Sequence, residues 1–259
     1  MTALFAIVAA FVGLCFGSFL NVIIHRLPQD RSVAYPGSAC PACGHTLAAW
    51  ENIPVVSWLI LRGRCHGCGA PISARYVLVE LMTAALFALA VLVFGVSLQA
   101  LGAAVLSAYL VATVFIDIDH LLIVDALTLP VAVAGLVLAL LEGRGLTALA
   151  GALLGAVIFG AIHYVTRGTG LGLGDVKLAA CLGLFLGLHN ALAAFAASFV
   201  LGTIIALPVL IVRKRRQRDV LPFGPFLVLG ALLMTFAPGF IYGPYAQYQT
   251  FVYRHLGAP

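Results

Sequence analysis

Charge is what this sequence lacks. Only 9% of its 259 residues are Asp, Glu, Lys or Arg, against about one quarter in ordinary globular chains. With 63% hydrophobic residues and a mean hydropathy of +1.12, a soluble domain is excluded. Apolar windows follow one another almost to the C-terminus. Lipid forces every backbone polar group to be satisfied within its own segment, so the expected fold is all-α, a polytopic helical membrane protein. The sequence also lacks an internal repeat, a low-complexity tract and a glycine-rich Rossmann fingerprint following a strand.

Judged against the ~20 residues that a bilayer requires, eight spans are expected: 3–24, 76–95, 98–116, 122–141, 146–165, 176–189, 191–212 and 222–243. The sixth is short, and the count falls to seven if it does not cross. Three regions follow: a first transmembrane helix over 1–24, a cytoplasmic loop domain over 25–75 and a transmembrane core over 76–259. Met1 to Ile24 has no charged leading region or clear cleavage site, so it reads as a retained span rather than a signal peptide.

Basic residues set the orientation. With Met1 outside, twelve of the fourteen Lys and Arg fall in the connections 25–75, 117–121, 166–177 and 213–221, leaving Arg144 and Arg254 outside. The net charge of +5 then belongs to the cytoplasmic face, where anionic lipid headgroups are the expected partners. Nucleic acid is not implied.

There are only nine acidic residues, yet Asp117, Asp119 and Asp125 crowd one short segment and Asp175 ends the glycine-rich Gly172-Leu173-Gly174-Asp175. An ionisable group at membrane depth costs about 2.5–3.5 kcal/mol on insertion scales and reads as functional by default. Two carboxyls brought together cannot both ionise freely, which supplies an acid and a base at one pH. A water between them could be deprotonated toward a peptide carbonyl, the logic of an aspartic protease. Asp117 and Asp175 are the expected catalytic pair. Asp119 and Asp125 read equally well as helix-end caps.

The long polar stretch, 25–75, carries Cys40-Pro41-Ala42-Cys43 and Cys65-His66-Gly67-Cys68. Two C-x-x-C knuckles at this spacing can close four thiolates around structural zinc, so Cys40, Cys43, Cys65 and Cys68 are the expected metal ligands. Disulfides compete with this reading, but the loop is assigned to the reducing side. His45 and His66 are alternative ligands, expected instead to lie outside the coordination sphere. Trp50 and Trp58 are expected as interfacial anchors. Glu51 is expected to pair with Arg62 or Arg64, and Glu80 with Arg75.

Gly17, Ser18 and Asn21 turn small and polar groups to one side of the first span, which suits close helix packing, and Asn21 is a candidate hydrogen-bonder near the site. Cys15 and Cys181 read as small hydrophobes, and His163 as a satisfied core histidine. Lys177 is close enough to favour a charged neighbouring carboxylate. The run Arg213-Lys214-Arg215-Arg216-Gln217-Arg218 reads as a solvated cytoplasmic stop.

Phe16-Gly17-Ser18-Phe19-Leu20-Asn21, the double C-x-x-C with Glu51-Asn52-Ile53-Pro54 between its halves, Arg75-Tyr76, Asp117-Ile118-Asp119-His120, Gly172-Leu173-Gly174-Asp175 and Pro222-Phe223-Gly224-Pro225 together resemble the bacterial type IV prepilin peptidases. The resemblance runs from the first span to the last. It implies a bifunctional enzyme of the bacterial inner membrane that cuts the basic leader from type IV prepilins or type II secretion pseudopilins on the cytoplasmic side. It further implies methylation of the new N-terminal amine with S-adenosylmethionine, catalytic roles for Asp117 and Asp175, and zinc on the four cysteines. Many members carry proline before the later aspartate, where this chain has Val124-Asp125. No residue is assigned to the methyl donor, although the soluble loop is expected to contribute.

Other classes make different demands. A proton-coupled transporter would spread its acids across the bilayer and carry an inverted repeat; here the acids gather at one face. A peptidase without methyl transfer, or a non-enzymatic assembly component docking through its zinc loop, differs in the products it leaves.

Overall fold

The computed structural model describes residues 1–212 and 222–243, with the backbone alone for 206–212. The basic run 213–218 and Arg254 lie outside the described residues. The architecture is all-helical: α1 (Thr2–Arg26), α2 (Val56–Ile60), α3 (Arg75–Phe94), α4 (Leu98–His120), α5 (Asp125–Leu141), α6 (Gly145–Val165), α7 (Leu173–Val212) and α8 (Gly224–Phe236). Five are long and apolar enough to cross a membrane, namely α1, α3, α4, α6 and α7, while α5 and α8 are shorter apolar helices. This is a multi-pass membrane protein.

Against eight expected spans, the described helices long and apolar enough to cross number five, and the sixth and seventh expected spans follow one another in α7, on either side of a kink. α7 has 40 residues, which as an unbroken helix would reach about 60 Å, twice the hydrocarbon thickness. Gly187, at φ 71° and ψ 174°, breaks it. That conformation suits glycine, which has no Cβ to clash. Just before the break, the Phe185 carbonyl accepts a hydrogen bond from Arg144 Nη1 at 2.8 Å, satisfying one acceptor near the interruption.

The chain divides into two compact units, Met1–Val133 and Ala134–Pro259. In the first, α1 lies against α3 at backbone distance. A Cβ on Gly13 would sit 2.7 Å from Ala84 Cα, and one on Gly17 2.6 Å from Glu80 Cα, so small residues here permit the contact. Leu20, Ile24, Val79, Val111, Ala112 and Ile116 then form a buried cluster joining α1, α3 and α4. Tyr109 and Thr128 share a buried hydroxyl hydrogen bond of 3.0 Å between α4 and α5.

In the second unit, α6 meets the first half of α7 through glycines. A Cβ on Gly183 would lie 2.2 Å from the Gly151 carbonyl carbon. Phe159, Phe195, Phe199 and Phe223 gather beyond them, with Phe159 and Phe195 edge to face at 5.1 Å and Phe199 and Phe223 at 5.2 Å.

Candidate functional site

Two glycine turns build the cysteine group. Gly44 (φ 71°) and Gly69 (φ 73°) adopt left-handed backbone, folding each knuckle back on itself. Cys40 N–H donates to the His45 carbonyl at 2.9 Å and Cys65 N–H to the Ala70 carbonyl at 2.8 Å. The four sulfurs thereby come within 4.8 Å of one another, with Cys40 to Cys68 at 3.9 Å and Cys43 to Cys65 at 4.0 Å. Tetrahedral zinc with Zn–S bonds of about 2.3 Å needs S···S edges of about 3.8 Å. The group could therefore hold a zinc ion.

Its electrostatics ask for a cation. The backbone N–H groups of Ala42 and Cys43 bring the Cys40 thiol down to about 7. The His45 N–H favours the Cys43 thiolate too, yet the adjoining Cys68 thiol, burial, and the thiols of Cys40 and Cys65 carry Cys43 up to about 12. Four thiolates this close coexist only when a metal neutralises them.

His45 and His66 do not join the sulfurs. They converge on Glu51, with His45 Nε2 at 3.1 Å and His66 Nδ1 at 3.6 Å. The Ala48 N–H donates to the same carboxylate at 2.7 Å, and this bond, with help from His45, holds Glu51 below the usual glutamate range. The expected pairing of Glu51 with Arg62 or Arg64 is therefore replaced.

Glu80 also departs from its expected partner. Its Oε2 accepts the Val55 N–H at 2.7 Å, tying the soluble segment to α3. Val55 is held at φ 61°, a strained setting for a β-branched residue. Arg75 reaches α4 instead. It pairs with Asp119 at 2.6 Å, donates to the Phe115 carbonyl at 3.3 Å and lies 4.7 Å over the Phe115 ring. Asn21 Nδ2 donates to the Tyr76 carbonyl at 3.1 Å, fixing the start of α3 against α1.

Asp117 sits in the last turns of α4 and is 5% exposed; it belongs to the first unit. Asp175 belongs to the second unit and occupies the first turn of α7. There its Oδ2 accepts the Gly172 N–H at 3.1 Å, an N-terminal capping bond that fixes the carboxylate on the glycine-rich turn. His163 Nδ1 meets the Leu171 carbonyl at 2.7 Å, holding that turn to the end of α6.

Residue spacing carried no sign of the Arg75–Asp119, Glu51–His or Glu80–Val55 contacts. Arg75 at the start of an apolar helix pointed to Glu80, the acid nearest to it in sequence, whereas packing supplied Asp119.

Residues 11–94 match the model for the bacterial peptidase A24 N-terminal domain, and residues 104–207 match the type IV leader peptidase family. The chain is 39% identical over 248 residues to a prepilin leader peptidase/N-methyltransferase of Aeromonas hydrophila, covering 83% of this chain and 85% of that protein. This chain belongs to the type IV leader peptidase family. A relative of the same description from Myxococcus xanthus is 43% identical over 82% of this chain, an alignment that spans 65% of the relative's length. Another, from Dichelobacter nodosus, is 37% identical over 90% of this chain and 91% of its own. No solved structure matches. All four cysteines fall inside the N-terminal match, and Asp117 and Asp175 inside the peptidase match.

Proposed function

We propose that this chain is an aspartic endopeptidase of the bacterial inner membrane that removes the basic leader from type IV prepilins or type II secretion pseudopilins at the cytoplasmic face and then N-methylates the new N-terminal residue. Asp117 and Asp175 are its catalytic residues. The observation that carries the assignment is placement inside the peptidase match: Asp117 is a carboxyl buried at the end of α4, and Asp175 is held on its glycine-rich turn by the Gly172 N–H.

In this reading one carboxylate takes a proton from water as the oxygen attacks the scissile carbonyl. The other, protonated, hydrogen-bonds the carbonyl oxygen and then delivers its proton to the leaving nitrogen. The positive-inside bias keeps the leader and the scissile bond on one side of the membrane. Zinc held by Cys40, Cys43, Cys65 and Cys68 would be structural, fixing the loop 25–75 against α1 and α3. S-adenosylmethionine would supply an electrophilic methyl group; the chain's part is to hold the new amine neutral and aligned. Anionic headgroups meet the basic connections.

The test incubates purified protein with a prepilin and labelled S-adenosylmethionine. Wild type should yield a cleaved, N-methylated product by mass spectrometry. Asp117→Asn and Asp175→Asn should insert normally and leave the leader uncut. Normal cleavage by either variant removes the assignment, and a cleaved but unmethylated wild-type product removes the methyltransferase half.

A further inference from the structure

Beside the four cysteines lies a second cluster of metal-ligating side chains that the proposed reaction does not use. The Glu51 side chain is 3% exposed. His45 Nε2 lies 3.1 Å from its Oε2 and 3.3 Å from its Oε1, and His66 Nδ1 lies 3.6 Å from Oε1. Among the described residues, no Lys or Arg ion-pairs with this carboxylate.

The spacing is that of a coordination polyhedron. One donor atom from each residue lies within 4.8 Å of the other two. Metal bonds to nitrogen and oxygen of about 2.0–2.1 Å give tetrahedral edges of about 3.3–3.4 Å, between the observed separations. The knuckles supply the geometry. His45 follows the Gly44 turn, and a Cβ on Gly67 would lie 3.2 Å from His45 Cβ and Cγ, so glycine there lets the first knuckle's histidine come alongside the second knuckle. Trp50 packs edge-on against the His66 ring at 5.5 Å. The His66 side chain is 58% exposed, which leaves one flank of the cluster open to solvent.

We propose that His45, Glu51 and His66 form a second metal site, distinct from the four thiols, that takes a divalent first-row cation of the zinc class through two imidazole nitrogens and a carboxylate, with one position open to water or a substrate oxygen. Imidazole and carboxylate without thiolate is the donor set of metal sites that keep an exchangeable position. The site stands apart from the assignment of Asp117 and Asp175.

The alternative is a cluster in which both imidazoles simply donate hydrogen bonds to the carboxylate. To separate the two, full-length protein in detergent is stripped with chelator and reloaded with Zn²⁺ or Co²⁺ alone, and bound metal is counted. Wild type should take up two equivalents. Glu51→Gln and His66→Ala should each bind the second equivalent at least tenfold more weakly while keeping the cobalt–thiolate charge-transfer band. The amide introduced by Glu51→Gln retains an acceptor for the Ala48 N–H and the imidazoles, so a purely hydrogen-bonded cluster would survive that change. His66 is exposed, so its truncation spares the fold. A single equivalent in wild type, or a second equivalent of unchanged affinity in both variants, overturns the proposal.

Discussion

Arg75 and Asp119 are joined across α3 and α4 by an ion pair of 2.6 Å, two residues beyond Asp117 on the same helix end. The Phe115 carbonyl and ring hold the rest of the guanidinium. Three contacts from one turn of α4 thus fix the backbone that carries Asp117.

Arg75→Gln should therefore lower kcat for leader cleavage, by about tenfold, with less change in KM. Arg75→Lys should recover part of it, since lysine keeps the charge but not the planar fork. Both side chains are about one third exposed, so the stability loss should stay near or below ~1 kcal/mol. An equal rise in KM with kcat unchanged would show that Arg75 binds substrate rather than positions α4.

Gly183→Ala should separate α6 from α7. The added carbon would fall 2.2 Å from the Gly151 carbonyl carbon and 2.3 Å from its oxygen, contacts that only a backbone shift can relieve, at about 1–3 kcal/mol. Gly239→Ala, with nothing within 4 Å of the new carbon, is the matched control. Thermal unfolding in detergent should fall for the first variant and hold for the second.

Metal binding at the cysteines should weaken as pH falls, because protons compete with the cation for thiolate sulfur. Cys43, raised to about 12, is protonated at neutral pH in the metal-free chain, so loading zinc should release protons. Acidification should then release zinc, and with it the zinc-linked stability, which is present at higher pH and lost on the way down. Zinc titrations in weakly and strongly buffered solution, with proton release recorded, measure both effects.

Glu80→Ala should free the turn at Pro54–Val55 by removing the acceptor of the Val55 N–H. Proteolysis between residues 53 and 61 should accelerate while the helices remain intact. Val55→Gly should be neutral or stabilising, because strain of about 1–3 kcal/mol at a positive φ is relieved. A marked loss of stability in the glycine variant would mean that the Val55 side chain, not the turn, matters here.

Much of this protein is legible from residue order, because the forces that decide those parts act over short stretches of chain. The length of an apolar run determines whether a helix can cross lipid, and five described helices meet that requirement. Cysteines with two residues between them, each pair followed directly by glycine, determine a knuckle. Partner choice was decided only by tertiary structure. Glu51 sits near Arg62 and Arg64 in sequence but meets His45 and His66, and Arg75 passes over Glu80 for Asp119, because a buried or half-buried charge takes whichever partner packing brings to it. The boundary between the sixth and seventh helical segments was likewise placed by the backbone, at Gly187, where a positive φ marks a kink that hydropathy, averaged over a window, does not register.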